Sequence, residues 1–302
     1  MSDVLVLGDA IVDFVFGGVE RYPDPGEEVI APTYELRPGG SAGYATMGLA
    51  ALGLCPSVTA VVGDGVLSTH WLEFLETRGA DTGDVRRVDS EPISAAVAFL
   101  HGSDRSFLTY RGASGAGRPV DPGAYDPADY DALLIAGFTQ APYLWTEATV
   151  ELAERFDRAG VPVALDTNRS PGDWRPTFET LLPSVEYLVV NDEEARWLAD
   201  ESDLSAAGHA LVDAGAGTCV VKAGERGCLL LRDGTRRVST DPVDAVDDCG
   251  AGDFFNAGFL DARLDGRSLE VAAAFGNRCA REAITRFPVR EKLSAIGSIR
   301  GD

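Results

Sequence analysis

From Asp131 onward, short apolar runs alternate with longer amphipathic stretches, and this alternation limits the fold more than any other feature of the chain. The runs at 132–136, 162–165, 187–190 and 218–221 are dominated by apolar residues, as in strands buried on both faces. Between and after them, 142–160, 191–200 and 203–215 read as helices. Repeated strand–helix–strand units build a parallel sheet with helices on both faces. Residues 4–7, Val-Leu-Val-Leu, add a strand of the same kind that ends at Gly8-Asp9. The expectation is an α/β fold with ligands at the carboxyl ends of its strands. At 302 residues the chain exceeds the usual domain size, yet α/β folds of this length form one unit, so 1–302 is read as a single domain.

The amino-terminal third has a different rhythm. Between Phe14 and Arg37, Gly17-Gly18, Pro23, Pro25 and Pro32 interrupt short apolar segments, a pattern of small strands and turns. Gly39-Gly40-Ser41 opens a helix that Gly53 ends, 57–63 reads as a strand, and an amphipathic helix carries Leu67, Trp71, Leu72 and Leu75 up to Gly79. Residues 93–100 and 106–111 flank a polar HGSDR tip as a β-hairpin.

Charge narrows the partners. A net charge of −22 and a pI near 4.4 disfavour nucleic acid, whose phosphates attract basic surfaces. No apolar run has the roughly 20 residues of a membrane span, and the first strand begins without a basic leader, so a cytoplasmic protein with no membrane partner is expected. Only Lys222 and Lys292 are lysines; the other 24 basic residues are arginines. An acidic surface nearly free of lysine fits a halophilic protein, because strong screening removes self-repulsion. An ordinary acidic protein from an arginine-rich genome is the alternative. The five cysteines follow no zinc-like spacing and are read as thiols. Cys249 borders the glycine turn described next, so its alkylation is expected to block activity.

The densest chemistry lies at 246–259, VDDCGAGDFFNAGF. Gly250, Ala251 and Gly252 precede Asp253 and an apolar helix, so a glycine turn feeds a helix N-terminus whose N–H groups and dipole can hold phosphate. A carboxylate beside an anion repels it, and phosphoryl transfer is the chemistry that uses the pair. Asp253 takes the proton of an attacking hydroxyl while the amides stabilise the transferring charge. The plainer alternative is a tight turn with Asp253 capping the helix. Asp9 and Asp13 can accept from sugar hydroxyls, and Gly39 and Gly40 let a ligand approach the backbone. Asn191 and Glu194, one helical turn apart, suit Mg²⁺ with its waters or a helix cap with an acidic first turn. Arg111 can fork onto a carboxylate or merely balance an acidic surface. A nicotinamide dehydrogenase would need GxGxxG after the first strand, which GDAIVD lacks.

GAGDFFNAGF resembles the hallmark of the ribokinase-like (PfkB) carbohydrate kinases, DTTGAGDxFxAGF, with Asp248 and Cys249 in place of the two threonines. Gly39-Gly40 with Tyr44 resembles GGxxxN, Asn191 to Glu194 matches NxxE, and Lys222, Gly224 and Gly227 match KxGxxG. Asp166, Asn168 and Trp174, with Arg169 one position before the arginine of the pattern, are similar to the DxNxR…W of fructokinases and 2-keto-3-deoxygluconate kinases. The resemblance covers nearly the whole chain. It implies a ribokinase-like three-layer sandwich with a mostly parallel central sheet and a small β-sheet lid from about 14–36 and 91–112.

The resemblance also implies ATP-dependent phosphorylation of a primary hydroxyl, with Asp253 as the base. Asp9, Asp13, Gly39, Gly40, Tyr44, Tyr110, Arg111 and Arg169 would face the sugar. Asn191, Lys222, Gly224, Gly227 and Asn277 would face ATP, with Asn191 and Glu194 organising the Mg²⁺ water shell. Asp247 matches a position that often ligands a monovalent cation such as K⁺. Arg111 and Arg169 favour a 2-keto-3-deoxy sugar acid or fructose as the acceptor. Ribose or a nucleoside is the alternative, and a non-catalytic sugar-binding regulator is the reading from another class. A homodimer through the exposed lid edge completes the expectations.

Overall fold

A computed structural model of the protein describes residues 3–19, 21–101 and 104–300. The amino-terminal part contains β1 (Asp3–Gly8), β2 (Ile11–Gly17), β3 (Thr33–Gly39), α1 (Ser41–Ala51), β4 (Cys55–Thr59), β5 (Val61–Gly63), α2 (Val66–Glu76), β6 (Arg86–Val88), β7 (Ser94–His101) and β8 (Asp104–Tyr110). Then follow β9 (Ala132–Ala136), α3 (Glu147–Arg158), β10 (Val163–Asp166), α4 (Arg175–Leu181), β11 (Tyr187–Asn191), α5 (Asp192–Ala199), α6 (Leu204–Asp213) and β12 (Thr218–Lys222). The chain closes with β13 (Cys228–Leu231), β14 (Thr235–Val238), α7 (Ala251–Leu264), α8 (Leu269–Ile284) and α9 (Val289–Ser298).

The central sheet runs β14-β13-β12-β11-β10-β9-β1-β4, parallel from β4 through β12 and antiparallel at β13 and β14. Because strand side chains alternate faces, Val4 and Val6 enter one buried layer and Leu5 and Leu7 the other. That is why this strand has no polar position after Asp3. The first layer holds Ala45 of α1, Phe254 of α7, Cys279 of α8 and Ile296 of α9; the second holds Phe156 of α3, Phe178 of α4, Leu198 of α5 and Leu211 of α6. Close helix contacts explain the glycines of this layer: a Cβ on Gly48 would lie 2.8 Å from Ala257 Cβ, and one on Gly258 would lie 2.5 Å from Cys279 Sγ.

A second sheet, β3-β2-β7-β8, forms the lid, with β2 and β7 parallel and the outer pairs antiparallel. Gly102 and Ser103 of the expected HGSDR tip lie outside the described residues. The fold is thus the α/β sandwich with a small lid that the motifs implied.

Local differences have local causes. The single strand expected at 57–63 is two: β4 joins the central sheet, whereas β5 pairs with β6. The helix expected from 142 starts at Glu147, because Pro142–Leu144 forms a 3₁₀ turn and Thr146 is extended. The β13–β14 hairpin and α4 had no sequence counterpart; α4 is only seven residues long, too short for helical periodicity to show. No helix among the described residues is long and apolar enough to cross a membrane.

Candidate active site

Strand order reverses between β1 and β9, since the chain adds β4 on one side of β1 and β9 to β12 on the other. Ligands of open α/β sheets sit at such a reversal, beyond the carboxyl ends. Asp9 follows β1, Gly137 follows β9, and Asp166, Asn191 and Lys222 end β10, β11 and β12. A cleft of about 650 Å³ opens there. Asp253, Asn191, Glu194, Lys222 and Asn277 line it, as do Gly224, Gly227 and the Gly250–Ala251–Gly252 turn.

Asp253 stands on the first turn of α7, half-buried against a cluster of like charge. Burial, then the Asp166 carboxylate, hold its carboxyl well above the usual range, opposed by Lys222. Lys222 is the cation of this cluster: Nζ donates to Asp166 Oδ1 at 2.9 Å and to Asn256 Oδ1 at 3.3 Å. Glu194 completes a capping box with Asn191, whose N–H donates to Glu194 Oε2 at 3.0 Å while Glu194 N–H donates to Asn191 Oδ1 at 2.8 Å. Burial, then Asp166, push the Glu194 carboxyl up to about 7. Three carboxylates, Asp166, Glu194 and Asp253, thus share the one ammonium of Lys222.

The turn itself is strained into shape by glycine. Gly250 has φ 79°, and a Cβ there would lie 2.6 Å from the Tyr44 ring. Ala251 N–H donates to Asp248 O at 3.1 Å, and Phe254 N–H donates to Gly250 O at 2.9 Å. The expected cradle of Gly250, Ala251 and Gly252 amides therefore loses the Ala251 N–H to the turn. The first-turn amides of Gly252 and Asp253 stand between these two bonds.

The residues assigned to the sugar divide into three groups. Asp9 lies at the reversal point, its Oδ1 accepting from Ser41 N–H at 2.8 Å, and burial raises its carboxyl to about 7. Ser41 Oγ accepts from Asn168 Nδ2 at 2.9 Å, which brings β1, α1 and the β10 loop together beside Asp253. Arg111 lines a smaller cavity of about 190 Å³ with Ser94, Thr109, Gln140 and Ser170, and its Nη2 donates to Ser170 Oγ at 2.7 Å.

Asp13 and Tyr44 are turned elsewhere. The Tyr44 hydroxyl donates to Asp13 Oδ2 at 2.6 Å and accepts from Arg37 Nε at 2.9 Å, all three side chains being buried. The ring that was expected to face the sugar is packed edge-on against Phe254 instead. Gly39 and Gly40 make room for the chain itself: added Cβ atoms would lie 2.3 Å from the Asp13 carboxyl and 2.4 Å from Asp9 O.

Tyr110 and Arg169 point outward. Tyr110 is 53% exposed with its hydroxyl donating to Glu91 at 2.6 Å. The Arg169 side chain is 64% exposed and 3.9 Å from Glu193. Neither lines the two cavities described. Cys249 is buried, so the expected alkylation has no open path.

Asp247 does not fit a free monovalent cation. Arg37 donates to both its oxygens, at 2.6 and 3.3 Å, and Lys292 Nζ lies 2.9 Å from Oδ2. Burial alone would raise this carboxyl, but Arg37 and Lys292 outweigh it and hold it at about 2. The Arg37 and Lys292 roles escaped sequence reasoning, although Lys292 carried a signal as one of two lysines in an arginine-rich chain. Asp166 was visible in its motif but had no assigned task, and Ser41 had none.

Known proteins resemble this chain in sequence and in fold. The family model for pfkB family carbohydrate kinases matches residues 1–295. Ribokinase of Bacillus subtilis is 28% identical over 290 residues, covering 95% of this chain and 94% of its own. An ATP-dependent ribose-1-phosphate kinase of Halopiger xanaduensis is 29% identical over 294 residues, covering 94% of each chain. The structure of Arabidopsis thaliana ribokinase complexed with ribose and ATP superposes with a TM-score of 0.81, covering 98% of this chain and 97% of that one; at 24% identity this likeness speaks to the fold alone. Such coverage, on a sheet whose carboxyl ends gather Asp253, Lys222 and the glycine turn, means that the chain belongs to the pfkB family of carbohydrate kinases and is an ATP-dependent sugar kinase.

Proposed function

We propose that this kinase transfers the γ-phosphoryl group of ATP to the primary hydroxyl of a ribose-type pentose. One observation carries the chemistry: Asp253 is a half-buried carboxylate lining the cleft on the same helical turn as the Gly252 amide. Asp253 accepts the hydroxyl proton, and the first-turn amides of α7 hold the transferring oxygens. Lys222 neutralises charge between Asp166 and the turn. Asp166, Glu194 and Asn191 offer the oxygen donors that would hold Mg²⁺, directly or through its waters, and the ion would supply neutralisation of the phosphate charge. Asp9, Ser41 and Asn168 form the polar wall for sugar hydroxyls.

The choice of pentose follows the relatives, which are named for ribose and ribose 1-phosphate. The preference for a sugar acid or fructose rested on Arg111 and Arg169, and the outward position of Arg169 removes half of that support. Arg111 supports a second reading, a pentose already carrying a phosphate, because its cavity offers one guanidinium among five hydroxyl or amide side chains. A second copy of the chain is proposed to cover the lid face bearing Leu108 and Tyr110, 72% and 53% exposed.

Coupled ADP release should be fastest with ribose, deoxyribose or ribose 1-phosphate, and slower with adenosine, fructose and 2-keto-3-deoxygluconate. Preference for either of the last two sinks the pentose reading. Asp253→Asn should keep nucleotide affinity while kcat drops about 10³-fold, the range of a lost general base; full turnover in that variant refutes the base.

A further inference from the structure

Lysine is nearly absent from this chain, and both of its appearances lie beside the glycine turn. Lys222 serves the carboxylate cluster. Lys292, the fourth residue of α9, has a fully buried side chain. Its Nζ meets three oxygens: Asp247 O at 2.7 Å, Cys249 O at 3.0 Å and Asp247 Oδ2 at 2.9 Å. An ammonium has three donors, so this cage is complete.

These oxygens belong to the residues that lead directly into Gly250. Cys249 N–H closes the same loop onto Asp247 Oδ1 at 3.0 Å. Arg37 of β3 donates to both oxygens of the Asp247 carboxylate, sharing Oδ2 with Lys292, and its strand neighbour Glu35 accepts Val289 N–H at 3.0 Å at the start of α9. The loop that delivers the turn is thus tied to the last helix through Lys292; burial and the Arg37 charge push its ammonium down to about 8, while Asp247 opposes them.

Two carbonyls and a carboxylate are also what a monovalent metal ion would use. K⁺ at this position would have to displace the ammonium and lie beside the Arg37 guanidinium, against two like charges. The ligand atoms of Asp247, Asp248 and Cys249 come within 4.8 Å of one another, but the same two cations already neutralise Asp247. Residue choice agrees. Arginine, used 24 times, is a planar fork, whereas three convergent oxygens suit the compact ammonium of lysine.

We propose that Lys292 is the built-in cation of this kinase: a positioning residue whose ammonium stands where a free monovalent ion would otherwise shape the Asp247–Cys249 loop. Turnover then needs no K⁺, and removing the ammonium creates a need for one. This rests on reading Gly250–Gly252 as the phosphate turn.

The test holds ionic strength constant by exchanging K⁺ for Na⁺ or choline as chlorides, so that surface screening is unchanged. Wild-type rates should agree within about twofold in the three salts, a difference too small to reflect a bound activator. Lys292→Ala empties the cage; its rate in choline should fall about tenfold or more and recover saturably with K⁺ or NH₄⁺. Its melting temperature without nucleotide should rise with the same ions. Lys292→Met, which fills the space without charge, should be slow in every salt. Saturable activation of the wild type by K⁺ overturns the proposal, as does a folded Lys292→Ala indifferent to the ion or a Lys292→Met with full rate. Should Lys292→Ala fail to fold, the wild-type and Lys292→Met rates decide between the two outcomes. Absence of ADP from the wild type in all salts refutes the kinase reading instead, and the nucleotide-free melting still tests the cage.

Discussion

Asp9 and Asp247 show how opposite surroundings give one residue type opposite effects on stability. Asp9 is raised from its ordinary 3.8 to about 7 by burial. Below 3.8 both folded and unfolded chains are protonated there; as pH rises toward 7 the unfolded chain releases a proton that the folded chain keeps, so stability falls. Asp9→Asn, whose amide oxygen can still accept from Ser41 N–H, should therefore melt increasingly above the wild type as pH climbs through that window, and the gap should level off above about 7. A constant gap across the titration would remove burial as the cause. Asp247, held at about 2, works the other way: its contribution is complete above 3.8 and is lost as pH falls toward 2. Asp253 and Glu194 lie above their ordinary values, so turnover should rise with pH as the base loses its proton.

Elements meet at this site through glycines, and the reason differs from one glycine to the next. Gly40 caps α1 with φ 76° and would drive a Cβ to 2.4 Å from Asp9 O, backbone that cannot swing away. Gly224 has φ 57° with open space around it. Gly40→Ala should cost roughly 2–3 kcal/mol, left-handed strain plus the clash, whereas Gly224→Ala should cost about 1 kcal/mol, the strain alone. Urea midpoints of the two variants compare them directly, and equal losses would deny the close approach. The strands and helices after Asp131 were legible because buried strands are apolar throughout and helices between them are amphipathic. β4 and β5 were not separable, because the break between them is a change of sheet partner inside one apolar run.

Charge and assembly belong to the whole molecule. A net charge of −22 concentrates repulsion in the folded state, so the urea midpoint should rise when KCl is raised from low to molar concentration, where the screening length shrinks to about 3 Å. Full stability in dilute buffer would end the halophilic interpretation. Leu108→Asp, on the outer strand of the lid, should shift the sedimentation of a dimer to that of a monomer; an unchanged mass would place any association elsewhere.

The turn, the carboxylate after it and the succession of strands could be read from the chain because each is local: a glycine pair before an acidic residue, a helix start, a period of two or 3.6. The reading failed at Tyr44, Asp13 and Asp247. Their partners lie far along the chain, with Asp247 and Arg37 separated by 210 positions, and only packing could decide that Tyr44 turns inward and that an ammonium takes a cation's place. A side chain's type states what it can bond to; which partner reaches it in a desolvated interior is settled by the tertiary fold, where an unpaired charge is too costly to leave.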